Sequence, residues 1–116
     1  GVNMSPFVNA TATSSGLNTD TVTANGGAGI ITTSALTTAA TTTYQLTMTN
    51  SVIAVTDIVD CSVYNGTNTQ GTPIVSIVTP GAGSATILVN NTHTTGAFSG
   101  TLKVSYNIIK AAPTTL

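Results

Sequence analysis

The chain has 116 residues and five charged side chains, Asp20, Asp57, Asp60, Lys103 and Lys110, with neither Glu nor Arg and a formal net charge of -1. Two cations cannot neutralise the run of phosphates that gives nucleic-acid binders their affinity, so the chain is read as binding no nucleic acid. Apolar runs of no more than four residues fall far short of the roughly 18 to 20 that cross a bilayer as a helix, so it is read as non-membrane, and the length suits one domain, residues 1–116, around a single small core.

Threonine, serine and asparagine make up about two fifths of the sequence, yet 41% of it is hydrophobic. That fraction, with so little charge, lies outside the region of disordered chains. Threonine is β-branched and suits a half-exposed strand surface, whereas Glu and Arg, both good helix formers, are missing. The expected class is all-β.

In chain order, the first residues gather Met4, Pro6, Phe7 and Val8 into an apolar knot. It reads as an N-terminal anchor arm over residues 1–14, with an ordinary edge strand as the alternative. Val22 to Ala24 and Gly29 to Ser34 read as short strands around an Asn25-to-Gly29 turn. Ser34 to Ala40 holds enough Ala and Leu for a helix, but its threonines and its lack of a full apolar stripe favour an extended link. That link runs through Thr37 to Thr43 into the next strand.

From there the alternation is clear. Tyr44, Leu46 and Met48 alternate with Gln45, Thr47 and Thr49, and Val59, Cys61 and Val63 alternate with Asp60, Ser62 and Tyr64. Asn65-Gly66 opens a loop that reaches Gly71. Ile74 to Thr79 and Ser84 to Asn90 flank a turn centred on Pro80 to Gly83, which makes a hairpin. In Gly100 to Lys110, the residues Leu102, Val104, Tyr106 and Ile108 share one face. Seven or eight short antiparallel strands separated by Gly- and Asn-rich turns describe a single β-sandwich, with the jelly roll among its forms.

Few side chains could carry chemistry. Cys61 lies on the apolar face of its strand and reads as a core thiol, and as the only cysteine it has no internal disulfide partner. His93 stands in a polar loop after a strand and is the only imidazole. It reads as a plain loop residue, with an inter-subunit contact or ion site as the alternative. Asp57 and Asp60 are three apart, which puts them on opposite faces of a strand and rules out a paired general acid and base there. Asp57 reads as a turn or strand-start residue and Asp60 as a charge on the outer face. No nucleophile motif of the G-x-S-x-G kind supports a hydrolase, so the chain is read as a non-enzyme with no cofactor and no metal. A carbohydrate-binding module usually presents planar aromatic surface, for which Tyr64 is the loop-adjacent candidate.

From about Thr43 to Lys110 the succession Tyr44 to Ser51 (YQLTMTNS), Asn65 to Pro73 (NGTNTQGTP), Pro80 to Ser84 (PGAGS), Val89 to His93 (VNNTH) and Gly100 to Tyr106 (GTLKVSY) resembles a β-domain of tailed-bacteriophage virion proteins. Such domains occur on capsid decoration, head-fibre and tail-associated proteins. The resemblance implies a structural role, a β-sandwich, commonly trimeric, fixed to a virion surface. It brings no catalytic residue, and Gly1 to Thr42 lies outside it.

Composition points the same way. A surface with so few charges does little to keep neighbours apart, and neutral hydrogen-bonding side chains make contacts that depend little on salt. The expectation is a capsid decoration (cement) protein on the virion surface that stabilises the shell by bridging capsomers. Its partners would be its own copies, as a homotrimer, and the major capsid protein or another virion protein. The expected interface residues are Met4, Pro6, Phe7, Val8, Tyr64 and His93. The alternative is a head-fibre or tail-fibre tip that binds a host receptor or glycan.

Overall fold

The computed structural model describes residues 7–111, and Met4 and Pro6 lie outside them. Nine strands run through the described residues: β1 (Phe7–Thr11), β2 (Thr13–Gly16), β3 (Thr19–Thr23), β4 (Ala28–Thr32), β5 (Thr43–Thr49), β6 (Ile58–Asn65), β7 (Pro73–Gly81), β8 (Ser84–Asn91) and β9 (Leu102–Ile109). They form a four-stranded sheet in the order β1-β4-β9-β6 and a five-stranded sheet in the order β2-β3-β5-β8-β7. The protein is an all-β, two-sheet sandwich.

The core lies between the sheets and follows the alternation of apolar residues. Tyr44, Leu46 and Met48 of β5, Ile87 and Val89 of β8, and Leu102 and Val104 of β9 are all wholly buried. Ile31 of β4 is equally buried, and Val8, Ala10 and Cys61 pack against this core from its margin. The segment from Ser34 to Ala40 forms no helix. Leu36 is buried and bridges to Gly100, so tertiary pairing holds this crossover extended.

Two pairings depart from the antiparallel expectation: β1 runs parallel to β4, and β3 runs parallel to β5. The cause is connectivity. Only the β2–β3 and β7–β8 connections stay within a sheet, and every other connection among these strands crosses to the opposite one. A strand that returns after a crossover is free to align either way. The strand count also exceeds seven or eight, because β1 and β2 are separate strands joined at the buried corner residue Ala12, whose N–H donates to Thr32 O at 2.8 Å.

Phe7–Thr11 forms an edge strand, with Val8 turned toward the core and Phe7 60% exposed; the first six residues of the expected arm lie outside the described residues. Gly29 makes this docking possible. A Cβ there would sit 2.3 Å from Val8 O and 2.9 Å from Tyr106 Cε1, so β1 can approach only because the side chain is missing.

Candidate functional site

Buried polar side chains, Thr38 Oγ1 apart, hold the loops through hydrogen bonds. Asp20 of β3 is 1% exposed and accepts from Ser34 N (2.8 Å), Ser34 Oγ (2.7 Å) and Tyr44 OH (2.7 Å). Burial first, then the hydrogen bond and charge of Asp20, push the Tyr44 hydroxyl far above its ordinary range, so Tyr44 acts as a fixed donor. Three buried asparagines fasten the ends of the sandwich. Asn91 Nδ2 donates to Thr38 O and Gly96 O, and its Oδ1 accepts from Thr72 N and His93 N. Asn50 joins Gly26 O to Val52 N, and Asn68 joins Gln70 O to Ser99 N.

Asp57, just before β6, accepts from Lys110 Nζ at 2.6 Å and from the backbone N–H groups of Ala54 and Ala111. The Lys110 bond, then the two backbone bonds, hold its carboxyl down at about 2. Asp57 is thus the strand-start anchor that its position implied. Burial pushes the Cys61 thiol up to about 12, with the Asp60 charge adding to it. That leaves almost no thiolate at neutral pH.

The four expected interface residues that lie among the described ones, Phe7, Val8, Tyr64 and His93, are not brought together within one chain. Phe7 and Val8 point to opposite faces of β1. Tyr64 is 47% exposed on β6, opposite Lys103, and so lies on the same outer face as Phe7 but across three strand spacings. His93 follows β8 of the other sheet, and its Nδ1 accepts from Thr95 N (3.0 Å) and Gly96 N (2.7 Å). Those bonds leave the proton on Nε2 and make His93 the clasp of its own turn. Among the described residues no group of three His, Cys, Asp or Glu could hold a metal ion, and no helix is long and apolar enough to cross a membrane.

Two regions carry side chains without internal partners. One is the pair of edge strands β6 and β7, whose exposed apolar side chains lie on opposite outer faces: Ile58 (60%) and Tyr64 on that of the four-stranded sheet, Ile74 (49%) and Ile77 (55%) on that of the five-stranded sheet. Strand β7 is guarded by Pro73, Pro80 and a register shift between Val75 and Ile77, all of which discourage further pairing. Strand β6 has no proline or lysine, only Asp60. The other region is the outer face of the four-stranded sheet, where a shallow groove of about 300 Å³ is lined by Phe7, Ile30, Asp60, Ser62, Ser105 and Asn107.

Asp20, the three buried asparagines and the groove were not picked out from sequence. For Asp20 a signal existed, since Asp20, Val22 and Ala24 alternate and all three are buried. For the groove none did, because its residues come from four strands far apart in the chain.

These features define a two-sheet β-sandwich with exposed apolar side chains on both outer faces and a shallow groove on one of them. Compared with known proteins, the chain matches no family model, no curated protein and no solved structure.

Proposed function

We propose that the chain is a structural subunit of a tailed-bacteriophage virion: a capsid decoration protein that binds the shell surface as a homotrimer and opposes the separation of capsomers. What supports the assembly reading is the β6 edge, which has no proline or lysine and carries exposed Ile58 and Tyr64 on its outer face, with exposed Ile74 and Ile77 of the neighbouring edge strand β7 on the other outer face. Covering a half-exposed isoleucine returns about 1–2 kcal/mol at ~25 cal/mol per Å², so a few such contacts repeated around a symmetric ring amount to lasting association. With a single ion pair among the described residues, little of that association would depend on salt. The virion setting rests on the resemblance over Thr43 to Lys110.

The test is light scattering at low and high salt, followed by binding to capsids stripped of their decoration protein. A salt-insensitive trimer that binds the shells and raises their thermal rupture point supports the proposal, and Ile58→Ser with Ile77→Ser should weaken the trimer. A monomer that leaves stripped shells unchanged overturns it.

A further inference from the structure

The registers β1–β4, β4–β9 and β9–β6 set Phe7, Ala28, Asn107 and Asp60 in one row across the four-stranded sheet. Asn9, Ile30, Ser105 and Ser62 form the next row. Strands about 4.8 Å apart put Phe7 and Asp60 roughly 14 Å apart along the row. Between them stand the small residues Ala28, Ser105 and Ser62 together with the larger Ile30 and Asn107. Ile30, Ser62, Ser105 and Asn107 line the shallow groove.

Its two ends differ in chemistry. At one end the Phe7 ring is 60% exposed on an edge strand. At the other, Asp60 and Asn107 face each other across β6 and β9, both exposed, and neither side chain makes a hydrogen bond within the described residues. Their neighbours are engaged: Ser62 Oγ and Ser105 Oγ lie 2.5 Å apart, and Lys103 Nζ donates to Thr32 Oγ1 at 2.8 Å. An open carboxylate and an open amide beside an exposed aromatic ring are what a sugar needs. A pyranose has an apolar C–H face that lies on an aromatic ring and a rim of hydroxyls, which donate to a carboxylate and exchange bonds with an amide.

We infer that this face is a saccharide-binding groove that takes a neutral disaccharide, with one ring on Phe7 and the hydroxyls of the other on Asp60 and Asn107. The span of roughly 14 Å between strands three spacings apart fits two linked pyranoses. The one carboxylate in the groove, with no free cation beside it, selects against sulfated or uronic sugars. A lone carboxylate also provides too few oxygens for a calcium ion. Asp60 shares the outer face of β6 with Ile58 and Tyr64, and Phe7, three strands away, is the groove residue whose replacement separates sugar binding from trimer formation.

The test uses the whole 15N-labelled chain, titrated to 50 mM with cellobiose, maltose, lactose and N,N′-diacetylchitobiose, with glycerol as a polyol control. The expected result is a saturable shift of the Phe7, Asp60 and Asn107 amides with at least one of the four sugars and not with glycerol. The apparent Kd should rise about fivefold or more in Phe7→Leu and in Asp60→Asn, neither of which touches the core. Tyr64→Ala, the exposed aromatic two rows along the same face, should leave binding unchanged. The inference is overturned if none of the four sugars gives a saturable shift there, if glycerol reproduces it, or if binding survives both groove substitutions.

Discussion

Replacing Tyr44 by phenylalanine removes one oxygen from a ring that is wholly buried and leaves the packing around it intact. What it takes away is one of three hydrogen bonds to the Asp20 carboxylate, which is 1% exposed. Hydrogen bonds to charged groups are worth about 1.5–3 kcal/mol, and a buried acceptor left short keeps its desolvation cost. The expected loss for Tyr44→Phe is therefore about 2 kcal/mol. With an m-value of about 1.5 kcal/mol/M in urea, that lowers the unfolding midpoint by roughly 1.3 M. The assay is urea unfolding followed by circular dichroism, in a double-mutant cycle with Asp20→Ala. If the bond carries the effect, Tyr44→Phe costs little once Asp20 is gone, and the coupling is about 2 kcal/mol. A single-mutant loss below ~0.5 kcal/mol, or the same loss in both backgrounds, would refute the reasoning. The same bond shapes the alkaline limb. Because folding binds the Tyr44 proton more tightly, its contribution is full below the unfolded pKa near 10 and declines as pH rises above it. Tyr44→Phe should flatten that decline.

Four further outcomes are expected. The Asp57 carboxyl, held at about 2 by Lys110 and two backbone donors, contributes stability that is present above the ordinary aspartate pKa of 3.8 and lost as pH falls toward 2. Lys110→Met should move its NMR titration midpoint up toward the ordinary value, and an unmoved midpoint would count against the pairing. With its thiol at about 12, Cys61 should react with iodoacetamide at pH 8 at least a hundredfold more slowly in the native than in the urea-unfolded protein; rapid native labelling would revive a nucleophilic role. Gly29→Ala places a Cβ against Val8 O and should cost about 3 kcal/mol or free β1, visible as lost amide protection over Phe7–Thr11; an unchanged exchange pattern would contradict the close approach. Thr38 is wholly buried and its Oγ1 has no hydrogen-bond partner among the described residues, so the isosteric Thr38→Val should stabilise the fold by about 1 kcal/mol in urea, and a loss of stability would refute this.

Strands β5, β8 and β9 and the β7–β8 hairpin were legible because their apolar residues alternate with polar ones on one buried face. Strand β2 was not: all four of its residues are exposed, so pairing with β3 holds it and no hydrophobic contrast marks it. Strand β1 gave a divided signal, Phe7 and Val8 being adjacent apolar residues that end on opposite faces. Asn50, Asn68 and Asn91 belong to a residue type that commonly marks surface turns, and nothing local tells a buried loop clamp from an exposed turn. Tyr64 could be read from the chain as an exposed aromatic, but only register shows that Phe7 shares a row with Asp60 and lines the groove. Alternation in a single segment tells which face a residue takes. Which residues share a row depends on pairings between strands as distant as β1 and β9.

Strand order also bears on how the protein is made. In the four-stranded sheet β4 and β6 never touch; each pairs with β9, the last of the described strands to leave the ribosome. Until β9 emerges, that sheet has no centre, and β1 and β4 wait with their apolar faces uncovered, while the local β7–β8 hairpin can already form. A chain that stopped short of Leu102 would be left with one sheet and an exposed core. Closure of the sandwich thus waits for β9, and a chain truncated before Leu102 should lose amide protection in β4 and β6.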